Sequence, residues 1–158
     1  MRMLGTKRIA LSLVITFALL NTACPVSVKT PAGVDKVENK LNQATNGLNA
    51  LAKTNRELYK KNVINIENRK AVAGVINKVN AGLDKVVDRV YEIDPNNPSS
   101  VSAGKVDVVK LLNEAAAELQ KLDVGNEEIK LAAQAVITLI NEAVDLTNRI
   151  KEVRHAGN

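Results

Sequence analysis

The chain has 158 residues with 22 Lys+Arg against 17 Asp+Glu, one His, one Cys, no Trp and only 2% aromatic residues. So few aromatics leave little for base stacking, which argues against a single-strand nucleic-acid binder and, in a chain read as exported, against any nucleic-acid partner. With one histidine the paired Glu-x-x-His sets of di-iron bundles cannot form, and a zinc site would have to rest on carboxylates alone.

In chain order, Arg2, Lys7 and Arg8 form a positive n-region, and Ile9–Leu20 is an apolar run of secretory length. A transmembrane helix needs roughly 20 apolar residues. This run is interrupted by Ser12 and Thr16 and reaches Asn21-Thr22 too soon, so an uncleaved anchor is the weaker alternative. Leu19-Leu20-Asn21-Thr22-Ala23-Cys24 then resembles the lipobox of bacterial lipoproteins, a Leu-small-small-Cys pattern cut just before a lipid-modified cysteine. Thr22-Ala23-Cys24 fits the pattern, while the leucine expected three places before the cysteine is Asn21, with Leu20 displaced by one; ordinary signal-peptidase cleavage is the rival. The resemblance implies residues 1–23 as signal peptide, lipid on Cys24, and an exported, membrane-anchored chain on the periplasmic or cell-surface side. Acylation also resolves the odd cysteine of an exported chain. Three of the basic residues lie in the leader, so 19 would remain against 17 acids, a net of +2 in place of +5.

Residues 24–33 carry Pro25, Pro31 and Gly33 and read as a short extended tether. At about 3.3 Å per residue it lifts the body by at most ~30 Å. Residues 34–158 read as one helical domain. Val34, Val37, Leu41, Ala44, Leu48, Leu51 and Leu58 follow a 3-4 alternation, the seam of a helix packed on helices, with Asn55 in one polar seam position expected near a wet end. Asn62 suits a left-handed C′ position, with Val63 expected to pack back on Leu58; Asn65 suits the next N-cap. An unbroken helix through 60–66 is the alternative.

The second helix is predicted from about Ile66 to Ile93 on the stripe Val72, Ile76, Val79, Leu83, Val86, Val90 and Ile93. Gly74 and Gly82 inside it each cost about 1 kcal/mol relative to Ala, and close helix approach is the expected compensation. After the turn-forming run Asp94–Ser100, a third helix begins between Ser99 and Lys105 and ends at Leu122, with Val108, Leu112, Ala115, Leu119 and Leu122 in its seam. Gly125 and Asn126 suit a C′ and an N-cap, and a fourth helix then runs to about Val153. It carries two overlapping seams, one through Ile129, Ala133, Val136 and Ile140, the other through Ala132, Leu139 and Leu146; so apolar a face calls for two neighbours. The expected fold is all-α, an antiparallel up-down-up-down four-helix bundle.

No catalytic, cofactor-binding or metal site is expected. His155 stands beside the chain end, and Glu114 and Glu118 share a helix face at a spacing common on solvated surfaces. The expected function is that of a membrane-anchored envelope lipoprotein acting by protein–protein contact, not an enzyme, as adaptor, accessory subunit or inhibitor. The alternative is a carrier or sensor with a pocket for a small apolar ligand between helices. In the bundle both termini and the Asp94–Gly104 loop face the tether, and the two tight turns share the far end. The expected contact residues there are Arg56, Tyr59, Lys60, Lys61, Val63, Ile64 and Val124. Tyr and Arg are enriched at interface hot spots.

Overall fold

The computed structural model describes residues 33–94 and 96–150. The leader, Cys24, the tether up to Pro31-Ala32, Pro95, Val153 and His155 lie outside the described residues. Four helices follow one another: α1 Val34–Lys60, α2 Ile66–Tyr91, α3 Pro98–Gln120 and α4 Glu127–Asn148, with no strand among the described residues. Each packs on its chain neighbours, and α4 closes the ring on α1, while the diagonal pairs make no close backbone approach. This is the four-helix bundle that the heptads require.

The heptads account for the core almost residue by residue. Every α1 seam position is buried, including Asn55, and so are Val72, Ile76, Val79, Leu83, Val86 and Val90 of α2. In α4 the seam through Ile129, Ala133, Val136 and Ile140 is fully interior, while Ala132, Leu139 and Leu146 are half-buried and pack on its edge. α4 is thus wedged between α1 and α3, as a helix with a widened apolar face must be. Thr147 is also buried and gives its hydroxyl proton to the Ala143 carbonyl at 2.8 Å.

Three helix ends fall short of the apolar pattern, for one shared reason. α2 ends at Tyr91 rather than Ile93, α3 at Gln120 rather than Leu122, and α4 at Asn148, two residues before Ile150. In each case the last seam residue is buried through a tightened turn: Ile93 N–H donates to Val90, Leu122 to Leu119 and Ile150 to Thr147. Such three-residue turns are frequent helix ends. The start of α3 is also earlier than expected. Asn97 accepts from Ser99 and Ser100 N–H and Pro98 occupies the first helical position, where its missing N–H costs nothing.

The glycines differ from expectation. A methyl on Gly74 would meet nothing within 4 Å, and one on Gly82 would make ordinary contact with Ala115 at 3.8 Å. Close approach occurs instead at Gly47, where a Cβ would stand 2.9 Å from Val136, and at Gly104 against Ile93. Gly33, at φ 107, turns the chain into α1.

Candidate interaction surface at the α1–α2 turn

α1 stops where Asn62 enters the left-handed region at φ 57. Val63 N–H donates to the Leu58 carbonyl at 2.9 Å and Asn62 N–H to Tyr59 at 3.0 Å, the paired bonds of a Schellman ending. The hydrophobic closure is displaced by one residue, however. Val63, expected on Leu58, is 56% exposed, and Ile64 enters the core in its place. Asn65 then caps α2 by accepting from Asn68 N–H at 2.8 Å.

The antiparallel return brings α2 back over the end of α1. Asn55, buried rather than wet, donates from Nδ2 to the Arg69 carbonyl at 3.0 Å, and its Oδ1 has no partner. Arg69 in turn lays its guanidinium over the Tyr59 ring, 4.7 Å from the centroid, within cation–π range. Asn68 Nδ2 reaches the Val124 carbonyl at 3.4 Å and so ties this turn to the α3–α4 turn, where Gly125 has φ 64 and Asn126 caps α4.

Of the seven residues expected at this surface, Arg56, Lys60, Lys61 and Val63 are exposed and Tyr59 is half-buried. Ile64 and Val124 are 6% and 9% exposed and belong to the core, so they offer a partner little. Arg69, which the residue pattern did not single out, belongs with the group. Tyr59, Val63, Ile64 and Ile66, with Asn62, Asn65 and Asn68, line an open cleft of about 560 Å³. From Lys53 to Lys70 the chain carries six basic residues against two carboxylates, Glu57 and Glu67. Only Lys60 has a carboxylate within ion-pair distance among the described residues, Glu57 at 3.4 Å.

Elsewhere, ion pairs join neighbouring helices. Lys40 joins α1 to Glu142 of α4 at 2.6 Å, and Arg89 of α2 reaches Asp107 of α3 at 3.6 Å. Glu118 accepts from Lys121 and lies 3.7 Å from Lys78. The hydrogen bond from Lys121, with the charge of both lysines, holds its carboxyl below the usual range. A general acid needs a pKa raised toward the working pH, so Glu118 is displaced in the opposite direction. At the other end of the bundle the Tyr91 hydroxyl is pushed up, chiefly by the neighbouring Glu38 carboxylate and further by partial desolvation and the charge of Asp35.

A second concavity, of about 1420 Å³, runs along the outer side of α3 from Val101 to Ala117, with Asn148 and Ile150 at one end. Its lining mixes Val101, Val106, Val109, Ala117 and Ile150 with Ser102, Lys105, Lys110, Asn113 and Glu114. Among the described residues no three His, Cys, Asp or Glu side chains stand together as a metal site, and no helix is long and apolar enough to cross a membrane. No protein-family model, curated protein or solved structure matches the chain.

Proposed function

We propose that this chain is a membrane-anchored helical lipoprotein of the bacterial envelope, tethered through lipid on Cys24 and acting by protein–protein contact as an adaptor, accessory subunit or inhibitor. The observation that carries the contact reading is the α1–α2 turn: exposed Val63 beside half-buried Tyr59, in a stretch from Lys53 to Lys70 with six basic residues against two carboxylates. α1 starts at the tether end, so in an up-down bundle this turn stands at the end away from the anchor. The rival reading, an apolar-ligand carrier, needs space between the helices. The larger concavity has a mixed apolar and charged lining but lies open along the outside of α3 rather than between the helices, so it does not supply that space.

Two measurements test the proposal. Intact-mass analysis of the purified protein should find Cys24 at the mature N-terminus and acylated, and Cys24→Ser should release the protein from membranes or stall its processing; a free thiol on Cys24 overturns the anchoring. For contact, the tagged protein is crosslinked and captured from its own membranes. Lys61→Ala with Val63→Ser should lose partners that Asn96→Ala, in the tether-side loop, keeps. Asn96 is the better control than Asn97, whose side chain caps α3. Retention of every partner by the turn variant, with loss in the loop variant, would invert the working face.

A further inference from the structure

We infer that the α1–α2 turn takes an acidic peptide segment bearing one apolar side chain, which seats in the cleft beside Tyr59 and Val63. This inference rests on the contact reading above and names the chemistry of the partner. Three observations carry it. The open cleft is lined in part by asparagines, with half-buried Tyr59 and Ile66 and an exposed apolar rim at Val63. From Lys53 to Lys70, on the helices that lead into it, six basic residues stand against two carboxylates, and among the described residues Arg56, Lys61, Arg69 and Lys70 have no carboxylate within ion-pair distance. Unpaired surface cations of one sign steer anionic partners and reject cationic ones.

The third observation separates a peptide from an anionic lipid surface. The same end of the bundle also presents Asp123, Glu127 and Glu128 around the α3–α4 turn. A flat anionic bilayer covering that end would meet those carboxylates together with the cations. A peptide following the α1–α2 turn meets six basic residues against Glu57 and Glu67 and avoids the carboxylates of the α3–α4 turn. Arg69 already stands over the Tyr59 ring that lines the cleft, with its backbone carbonyl bonded to Asn55. One wall of the cleft is therefore ordered before a partner arrives, which lowers the entropy cost of binding.

The test uses the purified full-length protein in a non-ionic detergent. The probe is a short fluorescein-labelled peptide of glutamates around one central leucine, followed by fluorescence anisotropy. Binding should saturate and weaken as salt is raised. A peptide with glutamine for glutamate should not bind, and one with serine for leucine should bind more weakly. Arg56→Glu with Lys61→Glu and Lys70→Glu should weaken binding by about tenfold or more, while Lys121→Gln with Lys130→Gln should leave it unchanged. Val63→Ser should weaken binding of the leucine peptide and not of its serine counterpart, a difference that general loss of charge or fold would not produce. Absence of saturable binding overturns the inference, as does equal loss in the Lys121/Lys130 control. An excess of binding to anionic over zwitterionic vesicles, with no peptide binding, replaces the peptide by a lipid surface; a lipid anchor adds equally to both vesicle types. Failure of the peptide while the Lys61/Val63 variant still loses captured partners leaves the contact reading standing and removes only the acidic chemistry.

Discussion

Gly104 of α3 faces Ile93 so closely that a methyl group on the glycine would lie 2.5 Å from Ile93 Cγ1 and 3.0 Å from its Cδ1. Ile93 is the residue that the tightened end of α2 delivers into the core, 4% exposed, and the absent side chain at 104 is its seat. Gly104→Ala would therefore push out a buried β-branched side chain, a costly move in a packed interior; the expected loss is about 1–3 kcal/mol. Gly74→Ala meets only open space and should stabilise by roughly 0.5–1 kcal/mol, because a helical glycine pays in backbone entropy. Thermal unfolding of the two variants should move in opposite directions. A loss of stability in Gly74→Ala would mean that α2 packs otherwise than described.

A second prediction concerns Asn55. Its Nδ2 has a partner and its buried Oδ1 has none. A buried acceptor without a partner costs about 1–3 kcal/mol, whereas an apolar residue of similar volume carries no such cost. The Arg69 carbonyl already lies inside α2, so it loses only a secondary bond. Asn55→Leu should accordingly raise the unfolding midpoint. If the polar seam position sets helix register, the variant should also form additional oligomeric species, which sedimentation would resolve. An unfolding midpoint lower than that of the parent would show that Oδ1 is hydrated.

How far the sequence could be read follows from the range of each interaction. A seam position depends only on its neighbours at three and four residues, and so Val37, Leu48, Val79 and Leu112 could be placed from periodicity alone. The turn chemistry was equally local: Asn62 at positive φ and the Asn65 and Asn126 caps. The start of α3 carries a local signal too, since Asn97-Pro98 combines a cap with the favoured first-turn proline. The glycine roles were not legible, because whether a missing Cβ is needed depends on what stands across the interface. The pairing of Asn55 with Arg69 lay between these extremes. Each is seven residues from Asn62, so an antiparallel hairpin turning there places them opposite one another. Arg69 over Tyr59 follows only once that register is known, and the candidate surface was therefore half visible.

Leu48 and Leu112 are fully buried, one on α1 and one on α3. Each truncation to Ala should cost about 2–5 kcal/mol, with the spread set by how far the site collapses. Leu131, by contrast, is 69% exposed on α4, and Leu131→Ala should stay within about 0.5 kcal/mol. Urea unfolding of the three variants checks this. A large cost at Leu131 would mean that its face is covered by another part of the chain or by a second copy.

The last prediction uses the Glu118 carboxylate, whose pKa is lowered in the folded protein chiefly by the hydrogen bond from Lys121 and further by the charge of Lys121 and Lys78. A carboxyl with a depressed folded pKa stabilises the fold above its unfolded value, and that contribution fades as pH falls through the folded pKa. Lys121→Gln removes the largest cause, so the Glu118 side-chain carboxyl, followed by NMR, should titrate at higher pH in the variant than in the parent. Lys78→Gln should move it in the same direction by less, since Lys78 stands 3.7 Å away. The stability difference between Lys121→Gln and the parent should be present at neutral pH and vanish in acid, once Glu118 is protonated in both. A difference that persists unchanged into acid would mean that Lys121 acts through the end of α3 rather than through Glu118.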